Sequence, residues 1–225
     1  MSYFDSLFFG IYPYIAGTVF LVGSLIRFER DQFSWKSSSS QLLRGQELRK
    51  GSVYFHAGIL LLFFGHLFGL LTPPAVYHAL GLSTSAKQIL AVIAGGLFGG
   101  VCFYGLLILL RRRLNDPRIR ATSHPMDIAL LYLLMAQLVL GLITLPVSLF
   151  HLDGSNMLRL AEWAQRIVTF RGGAAEQVAN VSWVFKLHLM LGMTLFVVFP
   201  FSRLVHIWSA PLGYLGRPYQ IMRQR

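Results

Sequence analysis

The chain has 225 residues, 55% of them hydrophobic and 13% charged, with a formal net charge of +11. A water-soluble domain carries about 25% charged residues, so the composition excludes an ordinary soluble fold. A basic excess of this size would suggest nucleic acid in a soluble protein, but here the cations sit in short stretches between apolar runs, which excludes that partner.

A helix needs about 20 apolar residues to cross a bilayer. Five runs meet that length, at 7–26, 53–72, 88–110, 127–149 and 183–208. They predict an all-α membrane protein of five transmembrane helices, a single membrane-integral domain over 1–225 ending in a polar tail at 211–225. The opening Met1-Ser2-Tyr3-Phe4-Asp5 has no basic n-region, so a cleaved signal peptide is not expected. The segment after the first span holds Arg27, Arg30, Lys36, Arg44, Arg49 and Lys50, and a serine run at 37–40. Arg111, Arg112, Arg113, Arg118 and Arg120 follow the third span, and Arg203, Arg217, Arg223 and Arg225 lie at or beyond the end of the fifth. Those fifteen cations fall on one side; only Lys87, Arg159, Arg166, Arg171 and Lys186 fall on the other. The positive-inside rule then puts the N-terminus outside and the C-terminus in the cytoplasm; a multi-pass protein of the cell's inner (plasma) membrane is expected. The same charge would attract anionic lipid or an acidic partner face.

Cys102, the single cysteine, lies in the third span and reads as a small buried hydrophobe with no intrachain disulfide. The stretch 150–181 is too long for a simple turn. Leu158, Ala161, Ala164 and Val168, with Met157 and Trp163, recur at helical spacing, and Asp153 or Ser155 is placed to cap the start. An amphipathic helix on the outer surface is expected, followed by a turn at Arg171-Gly172-Gly173.

Four histidines stand out. The second span holds His56 and His66, and the fifth holds His188 and His206. An ionisable side chain at the centre of a bilayer costs roughly 2.5–3.5 kcal/mol or more and marks a functional site by default. Imidazole is an axial ligand of haem iron, and two on each of two helices suffice to hold two haems. Alternate spans run in opposite directions, so His56 pairs with His206 at the inner side and His66 with His188 at the outer side. On straight helices the ten residues from His56 to His66 rise about 15 Å and the eighteen from His188 to His206 about 27 Å. A kink at Pro200, tilted rings or crossed helices are needed to absorb the difference. Gly58, Gly65 and Gly69 on the second span and Gly192 on the fifth leave room for a flat ring, although small residues also pack membrane helices, as expected of Gly95, Gly96, Gly99 and Gly100. His78, His124 and His151 fall in loops or at span ends, and no ligand cluster suited to zinc is evident. A haem with two histidine ligands has no open axial position and suits electron transfer, and a membrane quinol is the expected electron source.

The residues also resemble a known family, the gamma subunit, or cytochrome b membrane anchor, of bacterial respiratory nitrate reductase. The resemblance covers nearly the whole chain. It is carried by IYPYIAG from Ile11, FHAGILLLFFGHLFGLLTP from Phe55, RRRLNDPRIRAT from Arg111, HLDGS from His151 and KLHLMLGMTLFVVFPFSRLVHIWSAP from Lys186. It implies two haem b groups, the inner held by His56 and His206 and the outer by His66 and His188. It implies quinol oxidation, by menaquinol or ubiquinol, beside the outer haem, where Lys87 and Gly65 match family residues. Arg113 matches a residue near the inner haem's propionates. The implied partners are an iron–sulfur beta subunit and a molybdenum-containing alpha subunit that reduces nitrate to nitrite. This chain carries no cysteine cluster for either cofactor.

Plainer readings stand beside these. Lys87 is also placed to snorkel to the interface, and Arg113 to serve topology and lipid. A diheme anchor of a hydrogenase, formate dehydrogenase or sulfur-cycle complex would share the histidines. A cofactor-free transporter or scaffold would use them for proton relay.

Overall fold

A computed structural model describes residues 2–35, 43–210 and 216. Helices account for all the regular structure among them, with no strand. The expected polar tail at 211–225, apart from Gly216, lies outside the described residues, as do Lys36 and the serine run.

The chain opens with α1 (Tyr3–Ser6), where the Ser2 hydroxyl accepts from the Asp5 backbone N–H at 3.1 Å. A π-turn over Leu7–Ile11 leads into α2 (Tyr12–Asp31). Then follow α3 (Gly45–Leu71), α4 (Pro74–Ala79), α5 (Thr84–Asn115), α6 (Pro117–Ala121) and α7 (Pro125–Leu149). The chain continues through α8 (Ser155–Val168), α9 (Ala174–Val178) and α10 (Trp183–Val198). Five helical stretches, Tyr3–Ser34, Gly45–Leu71, Thr84–Asn115, Pro125–Leu149 and Trp183–Phe201, are long and apolar enough to cross a membrane. Several outrun their apolar cores. Thus α3 begins at Gly45 rather than Val53, because Gln46, Glu47, Leu48, Arg49 and Lys50 are all good helix formers.

The long helices pack in the order α3, α5, α7, α10, α2, whereas α3 and α10 have no comparable packing on each other. Small residues set the tightest crossing. A Cβ at Gly58 of α3 would stand 2.5 Å from the Cys102 backbone nitrogen of α5, and one at Gly105 of α5 would fall on the Phe55 backbone nitrogen. Only glycine permits that approach. Gly95, Gly96 and Gly99 meet Leu142 and Leu145 of α7, as their packing role predicts, whereas a Cβ at Gly100 would meet nothing within 4 Å.

The amphipathic α8 and the short α9 cover one end of the bundle. The Trp163 indole N–H donates to the Phe9 carbonyl at 2.9 Å, and the Gln165 amide donates to the Leu70 carbonyl at 3.0 Å, closing the end of α3. Phe9, Trp163, Val178, Phe185 and Met193 form the core beneath. At the same end the Lys186 ammonium meets the Asp5 carboxylate at 2.8 Å. The start of α8 differs from the expected side-chain cap: Gly154 precedes it in the left-handed region (φ +81°), and the Ser155 hydroxyl instead donates to Asp153 at 3.2 Å. Gly173, also left-handed (φ +76°), turns the chain into α9, an element the sequence pattern did not distinguish from the turn.

The fifth span departs most from expectation. Its α-helix stops at Val198 instead of continuing to Trp208. Pro200 lies in a 3-10 turn over Phe199–Phe201, Ser202 is extended (φ −123°, ψ −179°), and a second 3-10 segment, Arg203–Ser209, follows. Proline has no N–H for the helical ladder and its ring clashes with the preceding turn, so the ladder is interrupted here. The rise calculated for a straight helix between His188 and His206 therefore does not apply.

Candidate functional site: two histidine pairs

His56 and His66 project from α3, His188 from α10 and His206 from the 3-10 segment beyond it. The structure brings them together in the two antiparallel pairs. The ring centroids of His56 and His206 are 6.2 Å apart with planes at 78°, and those of His66 and His188 are 6.1 Å apart with planes at 37°. The pairs lie across the cleft between α3 and α10, and on this chain His56 and His66 are exposed to it.

Hydrogen bonds fix most of the ring orientations. A carbonyl oxygen only accepts, so a ring nitrogen bonded to one must carry the proton. The His56 Nδ1–H donates to the Ser52 carbonyl at 2.8 Å, that of His66 to the Leu62 carbonyl at 2.7 Å and that of His206 to the Arg203 carbonyl at 2.6 Å. Each bond leaves Nε2 with its lone pair, the state a metal ligand needs, and orients the ring in the manner of outer-shell partners of metal-bound histidines. His188 is held differently. Its Nε2 lies 3.4 Å from the Gln137 amide nitrogen of α7, its Nδ1 is buried without a hydrogen-bond partner, and its ring lies against Gly141.

The donor set fits a metal between the rings of each pair. A metal–imidazole bond of about 2.0–2.1 Å on each side would leave room for one metal ion between two rings whose centres lie about 6 Å apart. The observed 6.2 and 6.1 Å agree with that spacing. Direct packing of two helices through polar side chains would instead bring ring nitrogens into hydrogen-bond reach, and no such bond links the rings of either pair among the described hydrogen bonds.

The other expected residues are placed as follows. Lys87 donates from Nζ to the Gly69 carbonyl at 3.0 Å, and its ammonium lies 4.2 Å from the centre of the Tyr77 ring. Gly69 follows His66 by three residues, so the ammonium lies within one helical turn of the far-end pair's level on α3. Gly65 has no atom within 4 Å of where a Cβ would stand. Arg113 is buried; it donates to the Ser123 hydroxyl at 3.1 Å and meets Asp127 at 3.4 Å. Asp127 also accepts from Arg203 Nε at 2.7 Å, joining α5, α7 and the segment of His206 at the arginine-rich end. His78, in the short α4, bonds Thr84, and His124 accepts from the Met126 N–H at the start of α7. Gln137, Gly141, Asp127 and Arg203 were not singled out as site residues. A lone Gln or Gly in an apolar span carries little signal until its neighbour is known.

Five membrane-length helices with two facing histidine pairs are the arrangement of a multi-pass membrane protein. The family model described as nitrate reductase gamma subunit matches residues 5–225. The chain is 51% identical over 225 residues to the respiratory nitrate reductase 1 gamma chain of Escherichia coli, covering all of both chains. It is 39% identical over 219 residues to the nitrate reductase gamma chain of Bacillus subtilis, covering 97% of this chain and 98% of that one. A more distant relative, the Hdr-like menaquinol oxidoreductase cytochrome b-like subunit of Archaeoglobus profundus, is 25% identical over 164 residues, or 71% of this chain and 47% of that one. The chain belongs to the nitrate reductase gamma subunit family, the membrane cytochrome b subunit of a respiratory enzyme complex. That membership sets a nitrate reductase above the other oxidoreductases as the parent complex.

Proposed function

We propose that the chain binds two b-type haems, oxidises membrane quinol at the outer face and delivers electrons to cytoplasmic partners, an iron–sulfur subunit and a molybdenum subunit that reduces nitrate to nitrite. The observation that carries this reading is the pair of imidazole separations, 6.2 and 6.1 Å, with three of the four rings held as Nδ1–H tautomers. Bound there, the two haems would supply one-electron carriers at two depths of the bilayer, each closed to oxygen by its second histidine.

The chain's own residues do the rest. His56 and His206 present Nε2 at the basic end, read as cytoplasmic from the positive-inside asymmetry. His66 presents Nε2 at the opposite end, facing His188, whose own Nε2 lies against the Gln137 amide and whose Nδ1 is without a hydrogen-bond partner. Lys87 holds a cation beside the far-end pair; exchanging the Gly69 carbonyl for a quinol or quinone oxygen would orient the substrate, while open space at Gly65 admits its ring. The relative named as a menaquinol oxidoreductase subunit supports a quinol as donor. Arg113 places a cation at the basic end for the carboxylates of the group held there, with Asp127 and Ser123 fixing its guanidinium. Quinol protons released outside and electrons drawn inward separate charge, which stores roughly 2.3 kcal/mol per elementary charge per 100 mV.

The test is a reduced-minus-oxidised spectrum with redox titration of the purified complex. Two b components are expected, both extractable because no Cys-x-x-Cys-His is present. Substituting His66 or His188 by Ala should remove one component, and His56 or His206 the other. Loss of the same component from His56→Ala and His66→Ala would show the pairing to be wrong.

A further inference from the structure

The first crossing carries none of the four histidines, yet it grips the segment that presents His206. Where α10 ends, the carbonyls of Pro200 and Ser202 leave the helical ladder. Inside a membrane such groups must find a donor within the protein. Arg27 of α2 supplies both: its Nη1 donates to the Pro200 carbonyl at 2.7 Å and to the Ser202 carbonyl at 2.8 Å. Its Nη2 donates to the Ser34 hydroxyl at 3.0 Å, and that hydroxyl donates onward to the Asp31 carbonyl at 3.0 Å, so the guanidinium is held from behind. A planar fork with several fixed donors suits two neighbouring carbonyls better than a point charge does.

Four further contacts from the same strip of chain act on the same segment. Pro200 packs where Gly23 has no side chain; a Cβ there would stand 2.8 Å from the proline ring. The Trp208 indole N–H donates to the buried Ser24 hydroxyl at 3.3 Å, and its ring lies 5.5 Å from that of Phe20. The Ser209 hydroxyl donates to the Trp35 carbonyl at 3.2 Å. On its other side the segment is tied by Arg203 to Asp127 of α7, and the carbonyl of Arg203 fixes the His206 ring.

We infer that α2 is the splint of the basic-end histidine pair, with Arg27 the positioning residue that holds the break in α10 and so aims His206 at His56. His66, His56 and His188 inherit their direction from regular helices. His206 does not, because it lies beyond an extended residue on a 3-10 segment, and 3-10 hydrogen bonding is too poor to hold its own geometry over seven residues. Its aim depends on contacts from outside. Charge placement alone gives Arg27 only a place in the cytoplasmic excess; the geometry gives it two main-chain carbonyls next to a ligand-bearing segment. The inference rests on the reading of His206 as a ligand.

The experiment uses the whole complex in membranes and follows the two b components separately, by amount and by midpoint potential. Arg27→Ala should weaken retention of the basic-end component roughly 10- to 100-fold, the range for loss of an outer-shell partner, and shift the potential of what remains. The far-end component should keep its amount and potential. Arg27→Lys should restore part of the retention, since one ammonium reaches these carbonyls without the fork. Gly23→Ala presses on Pro200 from the same helix and should shift the same component alone. Should Arg27→Ala not accumulate, Arg27→Lys carries the test with the same readings. Unchanged basic-end retention and potential, or equal changes in both components, would overturn the inference. His206→Ala, run in parallel, separates the two failures. If it leaves both components intact, the ligand assignment fails; if it removes one that Arg27→Ala does not touch, only the splint fails.

Discussion

Gly141 offers the sharpest test of how the far-end pair is held. It lies in α7 with the His188 ring directly against it. An added Cβ would stand 3.0 Å from Cε1, 3.5 Å from Nδ1 and 3.7 Å from Nε2. Carbon atoms are most comfortable at about 3.5–4.0 Å, so Gly141→Ala must push the ring by roughly 0.5 Å, and the two further methyls of Gly141→Val must push it more. Overpacking of this kind costs about 1–3 kcal/mol, which corresponds to roughly 5- to 150-fold weaker retention of a group bound through that ring. Alanine belongs at the low end and valine at the high end. The measurement is an optical redox titration of membranes with the amount of chain normalised. The component removed by His66→Ala should fall or shift in graded order from glycine to alanine to valine. The component removed by His56→Ala should hold. Gly100→Ala is the control, because nothing lies within 4 Å of that position. A Gly141→Val complex with wild-type amount and potential of both components would refute the contact as a determinant of the site.

Two other expectations follow from charged groups at the same end. Lys87→Ala should depress quinol oxidation strongly while both b components remain, and electron delivery from an artificial donor that bypasses quinol should survive; full quinol activity would remove Lys87 from the site, and proton release on the cytoplasmic side would overturn the outer placement. Asp5→Asn removes the charge partner of the Lys186 ammonium, whose side chain is only 6% exposed between the Phe9 and Trp183 rings and which keeps the neutral Ala179 carbonyl at 2.9 Å. A deep pair broken in this way costs about 3–5 kcal/mol; under the thin cover at the end of the bundle, about 2–3 kcal/mol is expected. Thermal inactivation of the complex should show that loss, and the apolar double substitution Asp5→Leu with Lys186→Met should recover most of it; equal losses in the single and double variants would show that the pair is not the cause.

The five spans were legible because bilayer thickness acts on the chain locally: each run of about 20 apolar residues declares itself without reference to any other. The histidine pairing was legible for a related reason. Alternating direction is a global constraint, but it needs only the order of spans, and with His56 and His66 on one and His188 and His206 on another it admits a single antiparallel matching. The amphipathic α8, although Val168 at its last position is exposed, was visible in its helical spacing, with Ala161, Trp163 and Ala164 turning inward as expected. Its cap was not, because Gly154 has to accommodate Thr84, which lies on α5. The glycines divided on the same ground. Gly58 and Gly65 look alike in sequence, yet one closes on Cys102 of α5 while the other faces open space; the identity of the neighbour decides, and a helix does not carry that information by itself.

The break after Val198 shows where local reading stops. Pro200 announces a disturbance, and a kink within a continuing helix is the ordinary consequence. What turns a kink into a break is whether the freed carbonyls find donors, since within a membrane an unpartnered carbonyl is too costly to persist. Here the donor is Arg27, separated by 173 residues from Pro200, and the room for the proline ring comes from Gly23 on the same helix. With those two partners the chain leaves the helix, passes through extended Ser202 and brings His206 within 6.2 Å of His56. Without them the same residues continuing as a straight helix would carry His206 about 27 Å from His188, whereas its counterpart on α3 lies only about 15 Å from His66. The roughly 12 Å mismatch between the two histidine spacings is thus the sequence-level trace of the break. It states that the chain must turn between His188 and His206, and the packing of α2 against the end of α10 states what holds that turn.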